Sequence, residues 1–197
     1  MGQKSLLIVG LGELGGYVLE FLARIPNMPK VIAADINEDW GQRKVNSAIA
    51  GASQFNFYPD IEFRHLDAFD IEKTAKFIRE IQPTVIYNSM TLQSWWVITT
   101  LPPDAYKTID EARYGVWYPM HFVPTHKLML AVKKSGVKTY VVNAAFPDLV
   151  NPALARIGLA PTVGIGNIDN LVCSLRVSAS KMLKVPLRSV TVYLVAP

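Results

Sequence analysis

The sequence predicts an α/β fold: a doubly wound parallel sheet covered by helices on both faces, in three αβα layers. Three observations lead there. Short apolar runs alternate with amphipathic ones along all 197 residues. The first run passes straight into Gly10-Leu11-Gly12-Glu13-Leu14-Gly15. The second, Val31-Ile32-Ala33-Ala34-Asp35, ends in a carboxylate. Alternation of strand and helix implies crossover connections and hence parallel pairing. Parallel strands are buried on both faces, which accounts for a chain that is 50% hydrophobic with a mean hydropathy of +0.21.

The elements follow in order. Ser5 to Val9 is the first strand, and Gly10 turns the chain off its end. Gly12, lacking a Cβ, admits a pyrophosphate close to the backbone, and Gly15 allows the next helix to pack tightly on the sheet. The start of that helix presents free N–H groups, those of Glu13 and Leu14 among them, and the positive end of its dipole. Asp35, followed by Ile36, stands where the hydroxyls of an adenine ribose would be accepted. An ordinary tight turn needs one glycine and no acid on the next strand, so strand, triplet, helix, strand and acid together point to a dinucleotide site. A carboxylate at the ribose repels a 2′-phosphate, favouring NAD; Arg43 and Lys44 nearby leave NADP open.

Residues 38–50 read as a helix and 51–59 as a loop. Ile61 to Asp67 is the third strand, and Asp70 caps a helix carrying Ile71, Ala75, Ile78 and Ile81 at helical spacing. Pro83 ends it, and Thr84 to Asn88 is the fourth strand. Residues 89–124 are expected to be irregular, with Trp95, Trp96, Trp117 and several prolines. The helix resumes from Thr125 to Ser135, ended by Gly136. Thr139 to Asn143 is the fifth strand, residues 147–157 a loop with a short helix, and 160–165 an extended piece. A long helix from Ile168 to Leu183 and a last strand from Ser189 to Val195 complete the pattern. No repeat, low-complexity tract or linker interrupts it, so residues 1–197 are expected to form one dinucleotide-binding domain. The end at Ala196-Pro197, straight after a strand, is expected to cut it off before a catalytic domain.

Ligands of open parallel sheets lie over the carboxyl ends of the strands. The candidates there, besides Gly10, Gly12, Gly15 and Asp35, are Asp67 for the adenine amino group and Asn88 and Asn143 for the nicotinamide half. Each also has a plain reading as a loop-capping side chain. Of the histidines, His65 reads as structural, while His121 and His126 flank the aromatic segment at a spacing poor for a metal. No metal site is expected. No Tyr is followed by Lys four residues on, so the acid/base pair of short-chain dehydrogenases is absent.

Composition limits the partners. The net charge of +4 and pI of about 9.1 are spread, apart from Lys133, Lys134 and Lys138, so no nucleic-acid surface is expected. No apolar run is long enough for a bilayer, and no secretory signal opens the chain. One cysteine, Cys173, excludes an internal disulfide, fits a cytoplasmic location and reads as a small buried apolar residue. A small-molecule substrate and a homo-oligomeric assembly are expected.

Two stretches resemble known families of the Rossmann type. Pro161 to Asn170, with Ser180 to Val190, is similar to the lactate/malate dehydrogenase family. That resemblance implies that Asp169 is the aspartate orienting a catalytic histidine, that Asn143 is the asparagine after the fifth strand and that Asp35 is the ribose acid. The family's substrate-binding arginine, three residues after that aspartate, is Val172 here. His65-Leu66-Asp67-Ala68-Phe69-Asp70, Gln82-Pro83, Thr84 to Asn88 and Val132 to Val142 resemble NAD-dependent epimerase/dehydratase proteins over about residues 60–142, without their tyrosine–lysine pair. The expectation is the NAD-binding domain of an oxidoreductase acting on a small alcohol or carbonyl. The alternatives are an NAD-dependent nucleotide-sugar epimerase or dehydratase, and a domain that binds NAD without turnover and uses residues 95–118 as a partner surface.

Overall fold

Six strands pair in parallel in the order β3-β2-β1-β4-β5-β6, as the alternation of runs requires. They are β1 Ser5–Val9, β2 Lys30–Asp35, β3 Ile61–His65, β4 Val85–Asn88, β5 Tyr140–Asn143 and the two-residue β6 Val163–Gly164. The computed structural model describes residues 5–166 and 168–194, with the side chains of residues 168–170 outside the description. The chain divides into two compact units, residues 1–164 and 165–197.

In the first unit the side chains of each strand alternate between two cores. Leu7, Val9, Ile32, Ala34, Ile86 and Val141 share one core with residues of α3 (Ile71–Ile81), α5 (Trp117–Ser135) and α6 (Pro147–Ala155). Ile8, Val31, Ala33 and Tyr87 face the other, against α1 (Glu13–Leu22) and α2 (Glu38–Ser53). The period of two sends successive side chains to opposite faces, and helices cover both. This is the three-layer αβα arrangement.

Local signals set the helix ends. Asn37 caps α2 by accepting the N–H of Trp40, and Asp70 caps α3 by accepting that of Lys73. Gln82 in the left-handed region ends α3 before Pro83, and Gly136, at φ 69°, ends α5.

Three expectations need correction. Residues 89–124 are not uniformly irregular. A 3₁₀ turn (Trp95–Thr100) and α4 (Pro103–Glu111) form within them, and α5 begins at Trp117 rather than Thr125. Pro119 falls in the first turn, where its missing N–H has no helical partner to lose. Pro124 lies inside the helix and leaves the Met120 carbonyl without its donor; the Leu92 N–H supplies one at 3.0 Å. A proline that reads as a helix breaker is thus accommodated by a bond from a distant segment.

The other two lie in the second unit, which comprises α7 (Ile168–Leu183) and a 3₁₀ turn at Leu187–Ser189. Residues 190–194 form no strand; Val195 is outside the described residues. The turn is closed by the Ser189 N–H on the Pro186 carbonyl, and Arg176 Nε donates to the Val190 carbonyl at 3.0 Å. Cys173 is exposed, because the more covered positions of α7 are Val172, Arg176, Ala179 and Ser180, a helical stripe that passes it by.

Lys73 holds the Asp70 carboxyl below its ordinary value, first through its backbone N–H and then through its ammonium group. A carboxyl depressed in the folded state stabilises the fold above its unfolded value, near 4, and loses that contribution as pH falls through the lower folded value. Asp70→Asn keeps the capping oxygen and removes the charge. Urea midpoints should show the wild type ahead of D70N above about pH 4, with the difference closing as the pH is lowered further.

Candidate functional site

Reversal of strand order between β1 and β4 opens a crevice over the carboxyl ends of these strands. A cavity of about 370 Å³ lies there. Gly10, Gly12, Asp35, Asp67, Phe69 and Met90 line it, Ile36 borders it on one side, and Leu92 to Ser94 and Pro124 close another.

The glycine loop forms one wall. Gly10 has φ 92° and is crowded by Met90, whose backbone nitrogen would lie 3.0 Å from an added Cβ. Gly15 is more constrained still: a Cβ would sit 1.9 Å from the Gly10 carbonyl oxygen and 2.6 Å from Ser89 Oγ. Gly12 is the N-cap of α1, with no side-chain cap, and an added Cβ would meet nothing within 4 Å. The three glycines therefore do different work. The first makes the turn, the third allows contact, and the second leaves space beside the helix start.

Nearly every polar backbone group of the loop before α1 is held. The Gly10 N–H donates to the Ala34 carbonyl at 2.9 Å, and Ser89 Oγ donates to the Gly10 carbonyl at 2.8 Å. The Leu11 N–H donates to Asp35 Oδ2 at 2.6 Å, and Trp40 Nε1 donates to the Leu11 carbonyl at 2.9 Å. The Gly16 N–H takes the Gly12 carbonyl at 2.9 Å. Among the described residues nothing accepts the N–H groups of Gly12, Glu13, Leu14 and Gly15. Four unpaired donors at the positive end of a helix dipole could hold an anion. Glu13 and Leu14 do not line the cavity, and Leu14 is 49% exposed, so these two offer only their backbone.

Asp35 occupies the end of β2 with one carboxylate oxygen on the Leu11 N–H and the other on the Asn37 N–H at 2.8 Å. An ionised carboxylate has about four acceptor positions, so each oxygen keeps capacity for a hydroxyl. Ile36, beside it, is 63% exposed. Asp67 Oδ1 accepts the Phe69 N–H at 2.9 Å, closing the turn before α3 while the residue lines the cavity.

Asn88 and Asn143 are placed differently from what their positions at the strand ends suggested. They are direct neighbours across β4 and β5, both fully buried, and neither lines the cavity. Asn88 Nδ2 donates to Asn143 Oδ1 at 2.8 Å and to Thr125 Oγ1 at 2.9 Å, and Asn88 Oδ1 accepts the Met90 N–H. Asn143 Nδ2 donates to Asn151 Oδ1 at 2.8 Å, and Asn143 Oδ1 also accepts the Ala145 N–H. Thr125 Oγ1 in turn donates to the His121 carbonyl. These bonds tie the ends of β4 and β5 to α5 and α6, and leave both side chains buried outside the cavity lining. Asp169 lies in the first turn of α7, and its side chain is outside the described residues.

Sequence reasoning missed Trp40. Its position in the first turn of α2 was the available signal, but nothing local shows that the indole reaches back to Leu11.

No family model matches the sequence, and no curated protein matches it. Solved structures do. Lactate dehydrogenase from Eimeria maxima, solved with NADH and oxamate, superposes with a TM-score of 0.64 at 16% identity, over 96% of this chain and 51% of that one. Malate dehydrogenase from Plasmodium falciparum gives a TM-score of 0.65 at 14% identity, over 95% and 52%. Lactate dehydrogenase from Cryptosporidium parvum, solved with lactic acid and nicotinamide adenine dinucleotide, gives 0.61 at 15% identity, over 95% and 52%. The chain shares the Rossmann-like fold of these enzymes and spans about half their length.

Gly15→Ala tests the tight contact. Overpacking against a backbone carbonyl should cost about 1–3 kcal/mol, read as a fall of several degrees in Tm; an unchanged melt would mean that α1 can shift freely from β1.

Proposed function

We propose that this chain is the NAD-binding domain of an oxidoreductase that passes hydride between the nicotinamide and a small alcohol or carbonyl compound. The observation that carries the reading is the run of unpaired N–H groups from Gly12 to Gly15, beside an acid-bordered crevice at the switch in strand order. The pyrophosphate would sit on those N–H groups, in the space left by the missing Gly12 side chain. Asp35 would accept the adenine ribose hydroxyls, and the adenine would lie between Ile36 and Asp67. When bound, the nicotinamide supplies the hydride donor or acceptor. The Asn88–Asn143 pair would keep the ends of β4 and β5 in register beneath that half of the cofactor. Lactate dehydrogenases of the same fold, solved with NADH or with nicotinamide adenine dinucleotide, support the choice of cofactor.

Two features favour NAD over NADP. The Asp35 carboxylate would repel a 2′-phosphate at the ribose. The two cations of α2 have partners: Arg43 Nε pairs with Asp39 at 3.0 Å, and Lys44 Nζ lies 4.9 Å from the centre of the Trp40 ring.

Calorimetric titration of the purified chain with NAD, NADH, NADP and NADPH tests the reading. Binding selective for NAD and NADH is expected, and no heat with any of the four would refute it. Gly12→Val should melt like the wild type, since its Cβ meets open space, and lose dinucleotide binding because the branched side chain fills the phosphate seat. Asp35→Ala should weaken NAD more than NADP. Both should bind less well, because the Leu11 N–H loses its anchor together with the ribose.

A further inference from the structure

We infer that Trp40 is a positioning residue for dinucleotide binding: it holds the phosphate loop in its binding conformation before the ligand arrives. The inference rests on the reading above and adds a residue that the glycine fingerprint does not contain. Trp40 stands in the first turn of α2, and its indole N–H donates to the Leu11 carbonyl at 2.9 Å, across 29 residues of sequence. The side chain is 47% exposed, so it is not in this place to fill a core. Its backbone is set by the Asn37 cap, whose side chain accepts the Trp40 N–H at 3.0 Å. Its ring carries Lys44 on one face, a cation–π contact that limits rotation of the indole.

The bond matters because of where Leu11 is. Asp35 holds the peptide N–H on one side of Leu11, and Trp40 holds the carbonyl on the other. Two successive peptide planes are therefore fixed, and the second of them carries the Gly12 N–H, the first of the four unpaired donors. Without the indole bond the Leu11 carbonyl loses its partner, and the Leu11–Gly12 peptide is held only by its flanks, the Leu11 N–H on Asp35 and the Gly12 carbonyl on the Gly16 N–H. Fixing a loop in its bound conformation raises affinity by removing the ordering cost from the binding step. Trp40 would act on the phosphate part of the ligand and leave the nucleoside part alone.

Trp40→Phe is the discriminating variant: it keeps an aromatic ring for Lys44 and deletes the donor. One neutral hydrogen bond is worth about fivefold in an equilibrium constant. Amide hydrogen exchange of the ligand-free protein should therefore quicken by about fivefold at the bonded N–H groups of Leu11 and Gly16, with no change in the α5 peptides and a fall in Tm of at most about 4 °C. By calorimetry the Kd for NADH should rise by a similar factor, while adenosine, which has no phosphate, should bind both proteins equally. Trp40→Gln, which offers an amide N–H on a flexible stem, should fall between the two. If wild type binds NADH and W40F matches it in both exchange and Kd, the positioning role is wrong and the dinucleotide reading stands. If W40F weakens adenosine as much as NADH, or quickens exchange in the α5 peptides as much as in residues 10–16, Trp40 is merely structural and the inference fails. If wild type binds no dinucleotide, the reading and this inference fall together.

Discussion

The contact between α1 and the end of β1 is the constraint on which the rest of the site depends. The 1.9 Å that would separate a Gly15 Cβ from the Gly10 carbonyl oxygen means that helix and loop backbone meet with no side chain between them. That closeness puts the first turn of α1 directly over the strand end, with Gly12 at its start lining the crevice. It also requires β4 to lie beside β1, because Ser89, just past the end of β4, caps the Gly10 carbonyl. Sheet order, loop conformation and the free helix start are one arrangement.

Two polar systems brace the crevice from opposite sides. Towards β2, Asp35 and Trp40 hold the loop through its own backbone groups. Towards β5, Asn88, Asn143, Thr125 and Asn151 form a largely buried network linking two strands and two helices. Such a network is stable only when every member is satisfied, since an unpaired polar group in a low-dielectric interior is costly. Asn88 and Asn143 therefore serve the fold while standing where site residues would be expected. Pro124 belongs to the same region: the Met120 carbonyl that it frees receives the Leu92 N–H and ties the segment at the cavity edge to α5.

The signals that could be read directly were local ones. β1, the glycine triplet, α1 and β2 follow each other within 35 residues, and each announces itself by periodicity, missing side chains or a terminal acid. The Asp70 cap and the stops at Gln82-Pro83 and Gly136 belong to the same class. Signals interpreted by analogy or by a residue's habit fared less well. Prolines 119 and 124 suggested an irregular stretch, because the donor that rescues the Met120 carbonyl is almost thirty positions away. Val190 to Leu194 had strand composition, yet the Val190 N–H closes onto the turn at Leu187–Ser189 and its carbonyl accepts Arg176 Nε.

By itself the sequence determined the alternation of strands and helices, the parallel sheet and the location of the glycine loop between β1 and α1. Those properties depend on residues a few positions apart and on the two periods of regular backbone. Tertiary structure alone decided what the polar side chains at the strand ends do. Asn88 and Asn143 turn to one another because register puts them on the same rung, and Trp40 reaches Leu11 because α2 packs beside α1. A buried amide or an indole N–H takes whichever acceptor the packed chain brings within about 3 Å, and that acceptor is chosen by topology rather than by neighbours in sequence.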